Sequence, residues 1–147
     1  MASLSEEKDT IHETIANYCF HFDGGEFDKW VDLFTEDGTF DAGRMGAQNG
    51  RDALHAFVQK IKKTLPLVNG MPAIKHCVMN EIIKVNGDEA IAKSYIIAII
   101  AKGEGALVNG LAGRYEDHLV KQDDRWLFKT RKVHFDLMGD MGALAGR

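Results

Sequence analysis

The sequence predicts an α+β fold: a cone-shaped α+β barrel with three N-terminal helices packed on a strongly curved, mostly antiparallel sheet. Three observations lead there. Apolar residues recur at steps of three and four through the first half, which is the period of a helix. From Ala73 onward the apolar period falls to two, the period of a strand. Turn signals such as Asn86-Gly87 then cut the second half into hairpins. Helices grouped before strands mark α+β rather than alternating α/β architecture. The 147 residues fit one domain, 1–147, with no internal repeat, linker or low-complexity segment.

In chain order, Ser3-x-x-Glu6 resembles a capping box, with Glu6 and Glu7 well placed in a first helical turn. Ile11, Ile15, Tyr18 and Phe22 form the stripe of a first helix, and Gly24-Gly25 supplies its stop. Phe27, Trp30, Val31 and Phe34 predict one face of a short second helix, turned by Glu36-Asp37-Gly38 into a strand near Thr39 to Asp41. Gly43 to Gly50 reads as a flexible flap with Met45 at its tip. Leu54, Phe57, Val58 and Ile61 predict a third helix that ends before Pro66. Beyond it, Ile74, His76, Val78 and Ile82 share one strand parity. A long apolar strand follows from Ala90 to Ala101, then a turn at Lys102-Gly103-Glu104-Gly105. Strands near Leu111 to Val120 and Trp126 to Phe135 are joined through Gln122-Asp123-Asp124.

Composition narrows the function. A formal net charge of −4 lacks the basic footprint of a nucleic-acid binder, and Lys62-Lys63 reads as a solvated helix face. The N-terminal residues have no basic region and no apolar signal core. The longest apolar run, Tyr95 to Ala101, is far short of the ~20 residues that span a bilayer, so no membrane partner is expected. Cys19 and Cys77 have neither metal-site nor disulfide-framework spacing and read as free thiols in a reducing cytoplasm. No two histidines or carboxylates have ligand spacing, so no metal is expected. Gly43-x-x-Gly46-x-x-x-Gly50 lacks the following Lys-Ser/Thr of a phosphate loop.

The stretch Tyr18 to Phe34, with Asp23-Gly24-Gly25 at its centre, then Gly50-Arg51-Asp52-Ala53-Leu54, His76 to Asn80, Asn86 to Ala90, and Tyr115 through Phe128, resembles the nuclear-transport-factor-2-like (cystatin-like) superfamily in that order. Within it, the chain is similar to the SnoaL-like and scytalone-dehydratase-like enzymes. The resemblance implies a pocket between the concave sheet face and the helices. It also implies an Asp at the end of the first helix, Asp23, paired with a strand histidine, His76, with Tyr18 five residues before the Asp. No cofactor is implied, and a homo-oligomer, dimer or trimer, is.

Those residue types suit one chemistry. A histidine is a general base near neutral pH. A carboxylate on one ring nitrogen fixes its tautomer and stabilises the imidazolium that forms. A tyrosine donates a hydrogen bond where negative charge develops on oxygen. Phe20, Trp30, Phe34, Leu54, Phe57 and Ile97 are expected as apolar substrate-binding walls, with His134 at the pocket mouth. These point to a small hydrophobic, cyclic substrate. The residues alone leave other readings open: His76 as a satisfied core histidine, Asp23 as an exposed helix end, Tyr18 as plain core. His12, His21, His55 and His118 read as peripheral. The aliphatic strand Tyr95 to Ile100 offers no second polar catalytic group, which favours a one-base site. A cofactor-independent lyase or isomerase therefore stands beside two alternatives, a hydrophobic-ligand-binding protein and an assembly subunit resembling the small subunit of aromatic-ring dioxygenases.

Overall fold

The computed structural model describes residues 1–102 and 106–139. Helix α1 (Leu4–Asp23) begins at the expected capping box, where the Ser3 amide donates to Glu6 Oε2 at 2.7 Å and the Glu6 amide to Ser3 Oγ at 3.3 Å. Its stripe Ile11, Ile15, Tyr18 and Phe22 is buried, and the chain leaves the helix through Gly24 and through Gly25 at φ 73°. Helix α2 spans only Phe27–Val31, because Phe34, expected on its face, instead opens strand β1 (Phe34–Asp41). Backbone pairing decides this: Phe34 lies in parallel register with Phe128, and the Phe128 amide donates to Leu33 O at 2.8 Å. Sheet pairing there outweighs the helical spacing of the side chains.

A single 3₁₀ turn (Gly43–Met45) and strand β2 (Ala47–Asn49) follow, so the glycine-rich segment is pinned to β1 rather than free as a flap. Helix α3 (Arg51–Thr64) ends before Pro66 as its spacing predicts. A small hairpin of β3 (Leu67–Val68) and β4 (Met71–Pro72) leads into the long strands β5 (Ile74–Asn86), β6 (Glu89–Lys102), β7 (Ala106–Gln122) and β8 (Arg125–Met138). The turn predicted at Lys102 to Gly105 falls largely on residues 103–105, outside the described residues.

Six strands form one sheet in the order β2-β1-β8-β7-β6-β5, antiparallel except for β1 beside β8. The three helices pack on one face of this curved sheet. Among the described residues β2 and β5 are its edges, so the sheet is open and the expected barrel closure is not made. No described helix is long and apolar enough to cross a membrane.

Two bulges decide which side chains face the helices. In β5 the register shifts between Met79 and Ile82, with Asn80 at φ 58°, so Asn80 and Glu81 together oppose Ser94. The parity flips there: Ile74, His76 and Val78 face inward, then Ile83 and Val85, while Ile82 turns out to 49% exposure. In β8, Phe128 pairs with Leu119 but Thr130 with His118, leaving Lys129 as the extra residue. Trp126 and Phe128 therefore share the inner face with Arg131, Val133 and Phe135, and His134 points outward.

A third irregularity sits at Gly113 in β7, where an added Cβ would lie 1.9 Å from His134 O. Gly113→Ala is thus expected to destabilise the fold by about 2 kcal/mol or more, read by chemical unfolding. A loss under about 0.5 kcal/mol would show that the strand pair relaxes around the methyl group.

Candidate active site

Asp23 ends α1 with its carboxylate buried, 9% exposed as a side chain. A carboxylate at a helix C-terminus is opposed by the helix dipole, so it needs donors from elsewhere. Strand β5 supplies both. The His76 backbone amide, on the free edge of that strand, donates to Asp23 Oδ2 at 2.8 Å, and His76 Nδ1 sits 2.6 Å from Asp23 Oδ1. A carboxylate accepts at both oxygens, so Nδ1 carries the proton and donates. In the neutral imidazole the ring lone pair is then on Nε2.

His76 lines a cavity of about 440 Å³ between the sheet and the helices. The walls are mostly apolar: Phe22 from α1, Phe40 from β1, Phe57 and Ile61 from α3, and Ile96 and Leu111 from the sheet. Met45, Leu65 and Phe135 also line it. Two phenols complete the polar end, Tyr18 on α1 and Tyr115 on β7, with ring centroids 5.7 Å apart. Burial pushes both hydroxyls above their ordinary range, so each stays protonated and able to donate. The Tyr18 ring meets the His76 ring edge-on at 6.3 Å. In the same interior, burial raises the Cys19 thiol to about 12, which keeps it a neutral core group.

Behind the phenols lies Arg131, fully buried. Its guanidinium carbon stands 3.6 Å from the Tyr115 ring centroid and 4.1 Å from that of Tyr18, a cation sandwiched between two aromatic faces. Its partner is Asp117, equally buried, at 3.3 Å from Nε to Oδ1. The guanidinium thus lies against the ring faces of both phenols. None of Tyr115, Asp117 or Arg131 is singled out by the sequence. A strand-parity count misassigns Arg131 because of the Lys129 bulge, and Tyr115 carries no motif beyond its alternation.

The structure brings together Tyr18, Asp23, His76 and Phe57 from the predicted set. It disperses the rest. Phe20 is 74% exposed on the outer side of α1, one residue out of step with the buried stripe. Trp30, Phe34 and Leu54 are fully buried in the core but do not line the cavity. Ile97 faces the opposite side of β6 from the cavity, which takes Ile96 instead, and His134 is on the outer face beside Glu116 at 3.2 Å. Strand β6 offers the cavity only Ile96, as its aliphatic sequence implies; the second polar donor comes from its neighbour, as Tyr115. Among the described residues, no three His, Cys, Asp or Glu side chains cluster as a metal site.

An open curved sheet under three helices, with a carboxylate–imidazole pair at one end of an apolar cavity, defines a class of small cone-shaped pocket proteins. The chain belongs to the SnoaL-like family, whose domain model matches residues 3–132. A candidate scytalone dehydratase from Novosphingobium aromaticivorans is similar in structure, with TM-score 0.78 and 26% identity over 91% of this chain and 87% of that one. A protein of unknown function from Mycobacterium tuberculosis is similar with TM-score 0.78 and 27% identity, over 88% of this chain and 72% of that one. An NTF2-like protein with a cystatin-like fold, also from Novosphingobium aromaticivorans, shares the fold at TM-score 0.77 and 20% identity, over 96% of this chain and 90% of that one. No curated protein matches the chain.

Proposed function

We propose that this protein is a cofactor-independent lyase or isomerase, of the dehydratase kind, acting on a small hydrophobic cyclic carbonyl compound. One observation carries the reading: Asp23 grips His76 at both its backbone amide and Nδ1, leaving Nε2 as a base on an apolar cavity. In the reaction, Nε2 takes a proton from the carbon beside the substrate carbonyl. The electron pair moves onto the carbonyl oxygen, which accepts hydrogen bonds from Tyr18 and Tyr115, whose rings pack on the Arg131 guanidinium. The imidazolium then returns its proton. Given to a β-hydroxyl, it releases water and leaves a conjugated double bond; given to the γ-carbon of a β,γ-unsaturated ketone, it moves the double bond into conjugation. Both routes balance without an oxidant or a second substrate.

The test is proton exchange at the carbon next to the carbonyl, for a panel of one- to three-ring cyclic ketones in D₂O, followed by NMR. Wild-type protein is expected to accelerate exchange for at least one member, and His76→Ala to lose about 10²–10⁴-fold of that rate. Equal rates for wild type and His76→Ala across the panel would sink the enzyme reading, and binding without exchange would favour a ligand carrier.

A further inference from the structure

Two apolar prongs and a cationic helix end border the mouth of the cavity, and we propose that this rim docks on the surface of an anionic lipid bilayer. The first prong is the β3–β4 hairpin. Its turn is Asn69-Gly70, with φ at 53° and 78°, the tight two-residue turn that this dipeptide favours. The register sets Val68 beside Met71 at the tip, both exposed, and Leu67 is 61% exposed. The base is held: the Ala73 amide donates to Pro66 O at 2.9 Å, and Pro72 is buried. The tip stands clear, since a Cβ added at Gly70 would meet no described atom within 4 Å. The second prong is the Gly43–Met45 turn, where Met45 is 52% exposed and a Cβ at Gly46 meets nothing either. Met45 lines the cavity, as do Thr64 and Leu65, which lead into the hairpin, so both prongs border one opening.

Charge selects the partner. Between Asp52 and Glu81 the chain carries no carboxylate, although it has 22 in all, and that stretch holds Lys60, Lys62, Lys63 and Lys75. Lys62 and Lys63 end α3 just before the first prong, Arg44 sits in the second, and all three are exposed. Among the described residues the lysines in ion pairs are Lys29, Lys121 and Lys132, none of them in this stretch. Asp41, at the foot of the second prong, already accepts from the Gly43 amide and faces Lys132. Apolar tips beside cations are what a protein presents when it lies on a membrane, and no spanning segment is needed for that contact. The formal charge of −4 does not prevent it, because carboxylates more than about 10 Å from the lipid are screened at 0.1 M salt. A hydrophobic molecule partitions into lipid, so a mouth seated on the bilayer admits one to the cavity without a passage through water.

Vesicle flotation at 0.1 M salt tests this, with phosphatidylcholine vesicles that contain either no phosphatidylserine or about 30% of it. Wild-type protein is expected to float with the anionic vesicles and to bind the neutral ones at least 10-fold more weakly. Each cation near such a surface strengthens binding about fivefold, so Lys62→Glu with Lys63→Glu should lose at least 25-fold. Val68→Ser with Met71→Ser removes the apolar tip and keeps every charge, and should lose about 10-fold or more. Lys8→Glu with Lys84→Glu makes the same change in net charge away from the mouth and should bind as wild type does. All four proteins are first shown to be folded by circular dichroism. A wild type that floats with neither vesicle, or with both equally, would overturn the proposal. So would rim variants that bind like wild type, or a Lys8/Lys84 variant that loses as much as the Lys62/Lys63 one. Flotation involves no reaction, so the docking surface and the acid–base site stand or fall separately.

Discussion

Asp23→Asn is expected to lower the rate of carbon-proton exchange by about 10²–10⁴-fold while leaving the fold largely intact, and the reason lies in the hydrogen-bond inventory. Asp23 accepts twice, from the His76 amide and from Nδ1. An asparagine accepts at its oxygen only and donates from its nitrogen. Its oxygen will serve the backbone amide, which has no freedom to change, and its NH₂ will then face Nδ1. The imidazole must accept there, so its proton moves to Nε2, and the nitrogen on the cavity loses its lone pair. The base disappears with the ring still in place. Imidazole ¹⁵N shifts should report the switch from the Nδ1–H to the Nε2–H tautomer, and a mere packing role would not move that signature. An unchanged tautomer with an unchanged exchange rate would show that Asp23 does not govern His76.

Removing the buried guanidinium should have the largest effect on stability. Arg131→Met leaves Asp117 as an uncompensated buried carboxylate and strips the cation from between Tyr18 and Tyr115. Breaking one side of such a pair costs about 3–5 kcal/mol, a fall in Tm of roughly 10–15 °C for a domain of this size. The double variant Arg131→Met with Asp117→Leu should recover much of it, because no buried charge remains. A single variant within about 1 kcal/mol of wild type would mean that the cation contributes little beyond filling space.

The same pair gives a pH signature. Burial, partly offset by Arg131, pushes the Asp117 carboxyl up to about 6, with nearby Glu81 adding to the rise. The unfolded carboxyl titrates near pH 3.9. Between about pH 4 and 6 the unfolded chain therefore loses a proton that the folded chain keeps, and this group's contribution to stability falls as pH rises through that window. Below it both states are protonated, and above it both are ionised, so the contribution is flat. Carboxylates such as Glu7, which accepts from Lys121 and Trp126, are held low and give the opposite slope. The wild-type curve sums these, and the difference between wild type and Asp117→Asn isolates Asp117. Flat differences from pH 4 to 7 would refute its raised titration.

Side-chain periodicity along the chain determined the helices and strands. The capping box, the α1 stripe and α3 are local, set by residues three or four apart, and their prediction required no knowledge of distant neighbours. Local pattern placed Asp23 beside a glycine stop and His76 on a strand, but only the family resemblance joined them as a pair. The parity errors have one cause. A bulge adds a residue without changing the local composition, so the count continues past Asn80 and Lys129 as if nothing had happened. That count places Ile82 and His134 inward and turns Arg131 outward.

What the sequence by itself determined, then, was the order and type of elements, with the Asp23–His76 pairing implied by the family resemblance and not by any local signal. Tertiary structure alone decided that Phe34 joins a strand, that the sheet stays open, and that Tyr115, Arg131 and Asp117 converge behind Tyr18. The physical reason is range. Propensity, capping and periodicity act within a turn or two of the backbone, whereas strand register and the burial of a charge are settled by partners from far along the chain, whose positions exist only once the sheet has formed.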